Sequence, residues 1–269
     1  MAALSLNKLI SHVRGSDLPY EDGVPLESSW HLDAMYLLIT ILRYFWRDRT
    51  DIYIGGNMFV YFDPDQDKTR NFRGPDFFVV KGVTDNSPRK SWVVWEEAGL
   101  APDFVIELAS PSTLNFDVTG KKEVYEQILA TPEYIVYNPA TEELWGWRLS
   151  AGRYLPIEPN EQGWLWCDEL GLWLGVVDHK FVEQTSPVKV LRFFDETGRL
   201  LPTPAEAEAE TRRRAEHIAE TAEARAKAAE HMAETIEARA KVAEQRAETA
   251  EAEIARLKAL LAERDPDHD

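Results

Sequence analysis

The chain has one cysteine, Cys167, so no disulfide can form within it and it suits a reducing compartment. That thiol reads as a buried spectator rather than a reactive group. Long apolar runs are missing too: the most apolar later stretch, 35–46, is too short to span a bilayer and contains Arg43. The opening residues, MAALSLNKLISHVRG, carry neither a long apolar run nor an early basic cluster, so no signal peptide is expected. The expectation is a soluble, cytoplasmic protein with no membrane partner. Positive charge is scarce: 30 Lys and Arg stand against 47 Asp and Glu, a formal net charge of −17. This excludes a general nucleic-acid coat protein, because backbone binding relies on Lys and Arg. It leaves room for an enzyme that touches nucleic acid locally or through a metal. Also absent are a His/Cys metal cluster, a phosphate-loop glycine pattern and a nucleophile elbow.

Beyond Pro204 there is no glycine and no aromatic residue, and all nine tryptophans lie before it. The tail is built of Ala, Glu, Arg and Lys. AEHIAETAEARAK from Ala215 recurs as AEHMAETIEARAK from Ala229 and in part as AEQRAETAE from Ala243, a spacing of two heptads. Alternate steps of four and three from Ala215 meet only apolar residues, including Ile236, Ile254, Leu257 and Leu261. A seam of this kind flanked by charges is the sequence form of a coiled coil. A single solvated helix of good intrinsic propensity fits the same composition. The expected division is a globular domain over 1–200 and a coiled-coil helix over 205–264 that contributes to homo-oligomer formation.

The first part reads as mixed α and β. An amphipathic helix is expected over 28–46, with Trp30, Leu37, Ile41 and Tyr44 for its core face. Short strands at 52–54 and 58–62 are joined by Gly55-Gly56-Asn57, a turn signal. The near-continuous apolar runs 77–80 and 104–108 suit central strands covered on both faces. A helix over 120–130, a strand over 134–137 and a hairpin of 144–149 with 154–157 follow. Short strands and turns without a motif run on to Phe194.

Acidic residues stand in or beside these apolar runs: Asp76 in GPDFFVVKG, and Asp103 and Glu107 in APDFVIELASPS. Burying a carboxylate is costly unless it is paired or holds a metal. Asp103 and Glu107 share a strand face but lie roughly 13 Å apart, too far to bind one small cation together. Glu107 ends its strand, and Asp76 can approach it from a neighbouring strand. Two carboxylates and a backbone carbonyl suit Mg²⁺ or Mn²⁺. Lys121 shares a helix face with Tyr125 and could stabilise charge developing on a phosphate. Glu27 and His31 are four apart at the start of the first helix, where Glu27 either faces the site or favours the helix N-terminus. Plainer readings stand beside these. Asp76 and Asp103 follow prolines and suit strand-starting turns, Lys121 and Lys122 suit a wet helix face, and His31 suits packing.

The series PLESSWH, GPDFFVV, PDFVIELASPST, DVTGKKEVY from Asp117, and PEYIVYNP resembles the Uma-type endonuclease family of the restriction-endonuclease-like PD-(D/E)XK superfamily. The likeness covers roughly 20–160, with the motif order intact. It implies an α/β (α+β) fold, a mixed sheet flanked by helices, and metal-dependent cleavage of DNA phosphodiester bonds. By position, Asp76 matches the motif aspartate, Glu107 the motif acid and Glu27 the acid on the first helix. The superfamily's usual lysine would fall at Ala109 and is missing. Members of this branch carry a lysine on the following helix, and Lys121 takes that place through the Asp117, Lys121, Tyr125 spacing. The expected site is therefore Glu27, Asp76, Glu107 and Lys121, with Mg²⁺ or Mn²⁺ held by Asp76 and Glu107 and Asp103 left to start its strand. The alternative is a nuclease fold with weak or no catalysis, serving as an interaction module oligomerised by its coiled coil.

Overall fold

A computed structural model of the protein describes residues 14–20, 28–63, 71–182 and 184–264. The chain divides into two units, Met1–Ala205 and Glu206–Asp269.

In the first unit, helix α1 (Ser29–Phe45) starts where the Ser28 side chain accepts the His31 backbone N–H, an N-cap that satisfies an otherwise orphaned donor. It buries Leu38, Ile41 and Leu42 completely. Each such side chain contributes about 1.5–3 kcal/mol of burial. The strands follow as β1 (Ile52–Gly55), β2 (Val60–Tyr61), β3 (Phe72–Arg73), β4 (Phe77–Lys81), β5 (Trp92–Val93) and β6 (Phe104–Leu108). A helical segment of three parts comes next: α2 (Leu114–Phe116), a wider π-turn (Asp117–Lys121) and α3 (Lys122–Gln127). Strands β7 (Glu133–Asn138), β8 (Glu143–Ser150), β9 (Arg153–Pro156), β10 (Leu165–Cys167), β11 (Leu172–His179) and β12 (Val188–Phe194) complete the unit.

The main sheet has six strands in the order β1-β4-β6-β7-β8-β9. Only β6 and β7 run parallel, so the chain between them must cross over, and the helical segment makes that crossing. Side-chain alternation divides the core into two layers. Phe77, Val79, Phe104 and Ile106 pack with α1 and with the small antiparallel sheet β10-β11-β12. Phe78, Val80, Val105 and Val136 pack with Val124, Tyr125 and Leu129 of the helical side. Both faces are covered, which explains the continuous apolar runs of β4 and β6.

The strands on either side of Gly55-Gly56-Asn57 do not form a hairpin. β1 pairs with β4, whereas β2 pairs with β3 and β5 in a separate small sheet. The glycines serve close approach instead. A Cβ on Gly55 would lie 2.6 Å from the Phe78 ring, and one on Gly56 would lie 2.4 Å from the Asp76 carbonyl oxygen. Asn57 then donates its N–H to the Pro75 carbonyl at 3.1 Å. The segment thus clamps the backbone that presents Asp76. The helix expected from residue 120 also starts earlier, because Ser110, Ser112 and Thr113 form a hydrogen-bonded turn after β6 that leads directly into α2.

The second unit is the helix α4 (Pro204–Arg264), 61 residues and about 90 Å long. Ion pairs four residues apart, such as Glu223 with Lys227 and Glu237 with Lys241, line its surface. Its seam residues Ile236, Ile254 and Leu257 are exposed. Among the described residues, no helix is long and apolar enough to cross a membrane.

Candidate active site

Glu107 is the next-to-last residue of β6, on the face turned to the helical segment. It is fully buried, at 0% exposure. Tyr125 Oη donates to its Oε1 at 3.3 Å and Lys121 Nζ to its Oε2 at 3.0 Å. Lys121 Nζ also lies 2.7 Å from Oδ1 of the buried Asp117. Residues four apart share a helix face, and this pair brackets the wider turn. Tyr134 Oη fixes the turn by donating to the Asp117 carbonyl at 2.8 Å.

Asp76 leads into β4, and its Oδ2 accepts the Leu108 N–H at 2.7 Å. The Leu108 carbonyl points to α1, where His31 Nε2 lies 2.9 Å away. A carbonyl can only accept, so Nε2 carries the proton. Nδ1 of the same ring lies 2.9 Å from Ser28 Oγ. The end of β6 thus gathers side chains from four parts of the chain.

Burial sets the electrostatics. It pushes the Asp76 carboxyl up, against the Leu108 N–H, Lys121 and His31, which pull it down. The Glu107 carboxyl rises from 4.5 to about 8, through burial first and the neighbouring Asp76 and Asp117 next, with Lys121 opposing them. Burial pulls the Lys121 ammonium down, but Glu107 and Asp117 outweigh it and hold the pKa above its usual value. Tyr125 is held well above the phenol range by burial and by Glu107. Three acidic side chains thus crowd one ammonium in a place poor in water, where holding all three as carboxylates is unfavourable.

That donor set fits a hard divalent cation. Among the described residues, no group of three or more acidic, histidine or cysteine side chains is arranged to hold a metal. Mg²⁺ seldom needs such a cage, since it takes one or two carboxylates and keeps waters or phosphate oxygens as further ligands. Asp76, Glu107 and the Leu108 carbonyl supply oxygen only, and a cation would offset the cost of ionising the two acids there.

Of the residues expected from the sequence, Asp76, Glu107 and Lys121 come together, and Glu27 lies outside the described residues. Asp103 sits at the far end of β6, where its Oδ2 accepts the Lys81 N–H at 2.7 Å. The ammonium of Lys122 turns away and lies 5.1 Å from the Trp147 ring centroid. Sequence reasoning used Asp117 only to place Lys121 and gave no contact to His31. The four-residue steps 117, 121 and 125 were the available signal for Asp117. Nothing in the sequence pointed His31 at a carbonyl 77 residues away.

The Glu107 shift has a consequence for the metal-free protein. Its folded-state pKa is raised, so the folded form holds this proton more tightly than the unfolded chain does. The associated stability is fully present below the unfolded value of 4.5 and is lost as pH rises towards about 8. Glu107→Gln, which cannot ionise, is therefore expected to melt above the wild type at high pH, with the advantage shrinking as pH falls through that window. Thermal unfolding across the range, in chelator, checks this. A difference that does not change with pH contradicts it.

A model of the Uma2 family, described as "Putative restriction endonuclease", matches residues 15–177. Among solved structures, the chain is similar to a putative nuclease belonging to DUF820 from Anabaena variabilis ATCC 29413, at 13% identity over 54% of this chain and 76% of that one, with a TM-score of 0.41. No curated protein matches.

Proposed function

The chain belongs to the Uma2 family of restriction-endonuclease-like proteins, and on that premise we propose that it is a metal-dependent endonuclease that hydrolyses DNA phosphodiester bonds at the end of β6. The observation that supports this best is the cluster of half-buried Asp76 with buried Glu107 and Asp117 around a single ammonium. Asp76, Glu107 and the Leu108 carbonyl are the residues that would hold Mg²⁺ or Mn²⁺. Bound there, the cation would supply Lewis acidity towards a phosphate oxygen and lower the pKa of a water.

The protein's own groups do the rest. The Leu108 N–H fixes the direction of the Asp76 carboxylate, and Tyr125 Oη fixes that of Glu107. Tyr125 stacks on Tyr134 with centroids 4.9 Å apart, closing one wall against water. Lys121, paired here with Glu107 and Asp117, would present its ammonium to a phosphate and stabilise the charge that develops on it. His31 and Ser28 hold the Leu108 carbonyl in place.

The direct test is nicking of supercoiled plasmid by the full chain in Mn²⁺ at low ionic strength, where a protein this acidic binds DNA best. Conversion to open circles that a chelator abolishes is the expected result. Cation binding with no cleavage of any DNA or RNA would instead favour an inactive interaction module, the reading that the net charge of −17 supports.

The same proposal includes pairing of α4 through its apolar seam to form a homo-oligomer. Removing 205–269 is then expected to lower the mass measured by light scattering, and an unchanged mass contradicts the pairing.

A further inference from the structure

Arg73 ends β3, three residues before Asp76, and has no part in the mechanism above. Its guanidinium is only partly satisfied within the protein. Nη1 donates to the Phe72 carbonyl at 2.7 Å. Nε is buried with no hydrogen-bond partner. Among the described residues, no carboxylate forms an ion pair with it. By contrast, Arg49, Arg89 and Arg148 each pair with an acid. The guanidinium carbon lies 6.0 Å from the Phe62 ring centroid and 5.9 Å from that of Phe116. Phe116 immediately precedes Asp117, so the fork is held beside the segment that carries Lys121. Its charge reaches Tyr125, where it opposes Glu107 and Asp76.

A protein with an excess of 17 negative charges has many carboxylates to offer an arginine. Among the described residues Arg73 pairs with none of them, although a cluster of acids lies beside it. Leaving its buried Nε–H unsatisfied costs free energy that an acceptor from outside would recover. Among the described residues no acceptor bonds the Nε–Nη2 edge of the fork, and that edge carries two parallel N–H groups that match two oxygens of a phosphate. The two aromatic rings limit its orientations, so little freedom remains to be lost on binding.

We infer that Arg73 forms a phosphate subsite, gripping a phosphodiester of the nucleic-acid backbone through its Nε–Nη2 edge beside the Asp76–Glu107 centre. The inference rests on the nuclease reading and deepens it. It names the substrate's backbone as the group recognised, and it gives an acidic protein a local cation for DNA that needs no basic surface.

The test is binding of labelled duplex and single-stranded DNA by the full chain, followed by fluorescence anisotropy over a salt series. Ca²⁺ replaces Mn²⁺, because it takes the same oxygen ligands. Arg73→Gln is expected to weaken binding by about tenfold or more, as loss of a charged hydrogen bond does. It should also flatten the salt dependence by about one phosphate's worth, a slope change near 0.9 on duplex DNA. Arg73→Lys should keep the wild-type salt slope but bind more weakly, since it retains the charge and loses the fork. A merely structural arginine would not separate these two variants by salt slope. Melting temperature and Mn²⁺ affinity, measured on both, should stay near wild type. Wild-type affinity and slope in Arg73→Gln overturn the subsite; if the wild type nicks plasmid in the same preparation, the nuclease reading survives. A wild type that binds neither DNA overturns the subsite, and if it also fails to nick, the nuclease reading falls with it.

Discussion

Replacing Lys121 by alanine is expected to slow plasmid nicking in Mn²⁺ by about 10²–10³-fold, the usual cost of one preorganised group that stabilises developing charge. Affinity for Mn²⁺ should hold or tighten, because the ammonium is not a ligand and competes with the cation for Glu107. Its neighbour is the control. The Lys122 ammonium lies over Trp147 and Tyr154 rather than in the cluster, so Lys122→Ala should change nicking little. Breaking a buried ion pair leaves an uncompensated charge and costs about 3–5 kcal/mol, so Lys121→Ala is compared at a temperature where it remains folded. Lys121→Met keeps the stem and removes only the charge, and it should match Lys121→Ala. Nicking retained by both Lys121 variants contradicts the role. Equal loss in the Lys121 and Lys122 variants points to a general loss of basic surface instead.

Asp76→Ala and Glu107→Ala should each weaken Mn²⁺ binding by more than the roughly 10- to 100-fold that loss of an outer partner costs. Asp103→Ala should leave it unchanged. The three carboxylates look alike in sequence, but Asp103 is spent on the Lys81 N–H at the opposite end of β6. Calorimetric titration of folded variants measures all three. Equal losses would mean that burial, not ligation, is what these residues share.

The contrast shows where the sequence was informative. A near-continuous apolar run with one acid near its end is readable, because a buried carboxylate has few explanations, and β4 and β6 lie where their composition places them. The turn signal at Gly55-Gly56-Asn57 did not reveal how the strands beside it pair, for a physical reason. Glycine marks either a turn or a close approach, and only the neighbour across the gap, here the Asp76 backbone, decides which. The π-turn was hidden for a similar reason. A helix signal over 120–130 does not register an inserted residue at its start. His31 and Arg73 act through partners distant in sequence or through the lack of one, and neither leaves a local pattern.

The central claim is that Asp76 and Glu107 share a cation at the end of β6. Anomalous diffraction from crystals of the protein soaked in Mn²⁺ tests it without any choice of substrate. The expected map has a peak between the Asp76 and Glu107 carboxylates, within ligand distance of the Leu108 carbonyl, and Lys121 displaced from Glu107. A map whose Mn²⁺ peaks lie elsewhere, with Lys121 still bonded to Glu107, would contradict it.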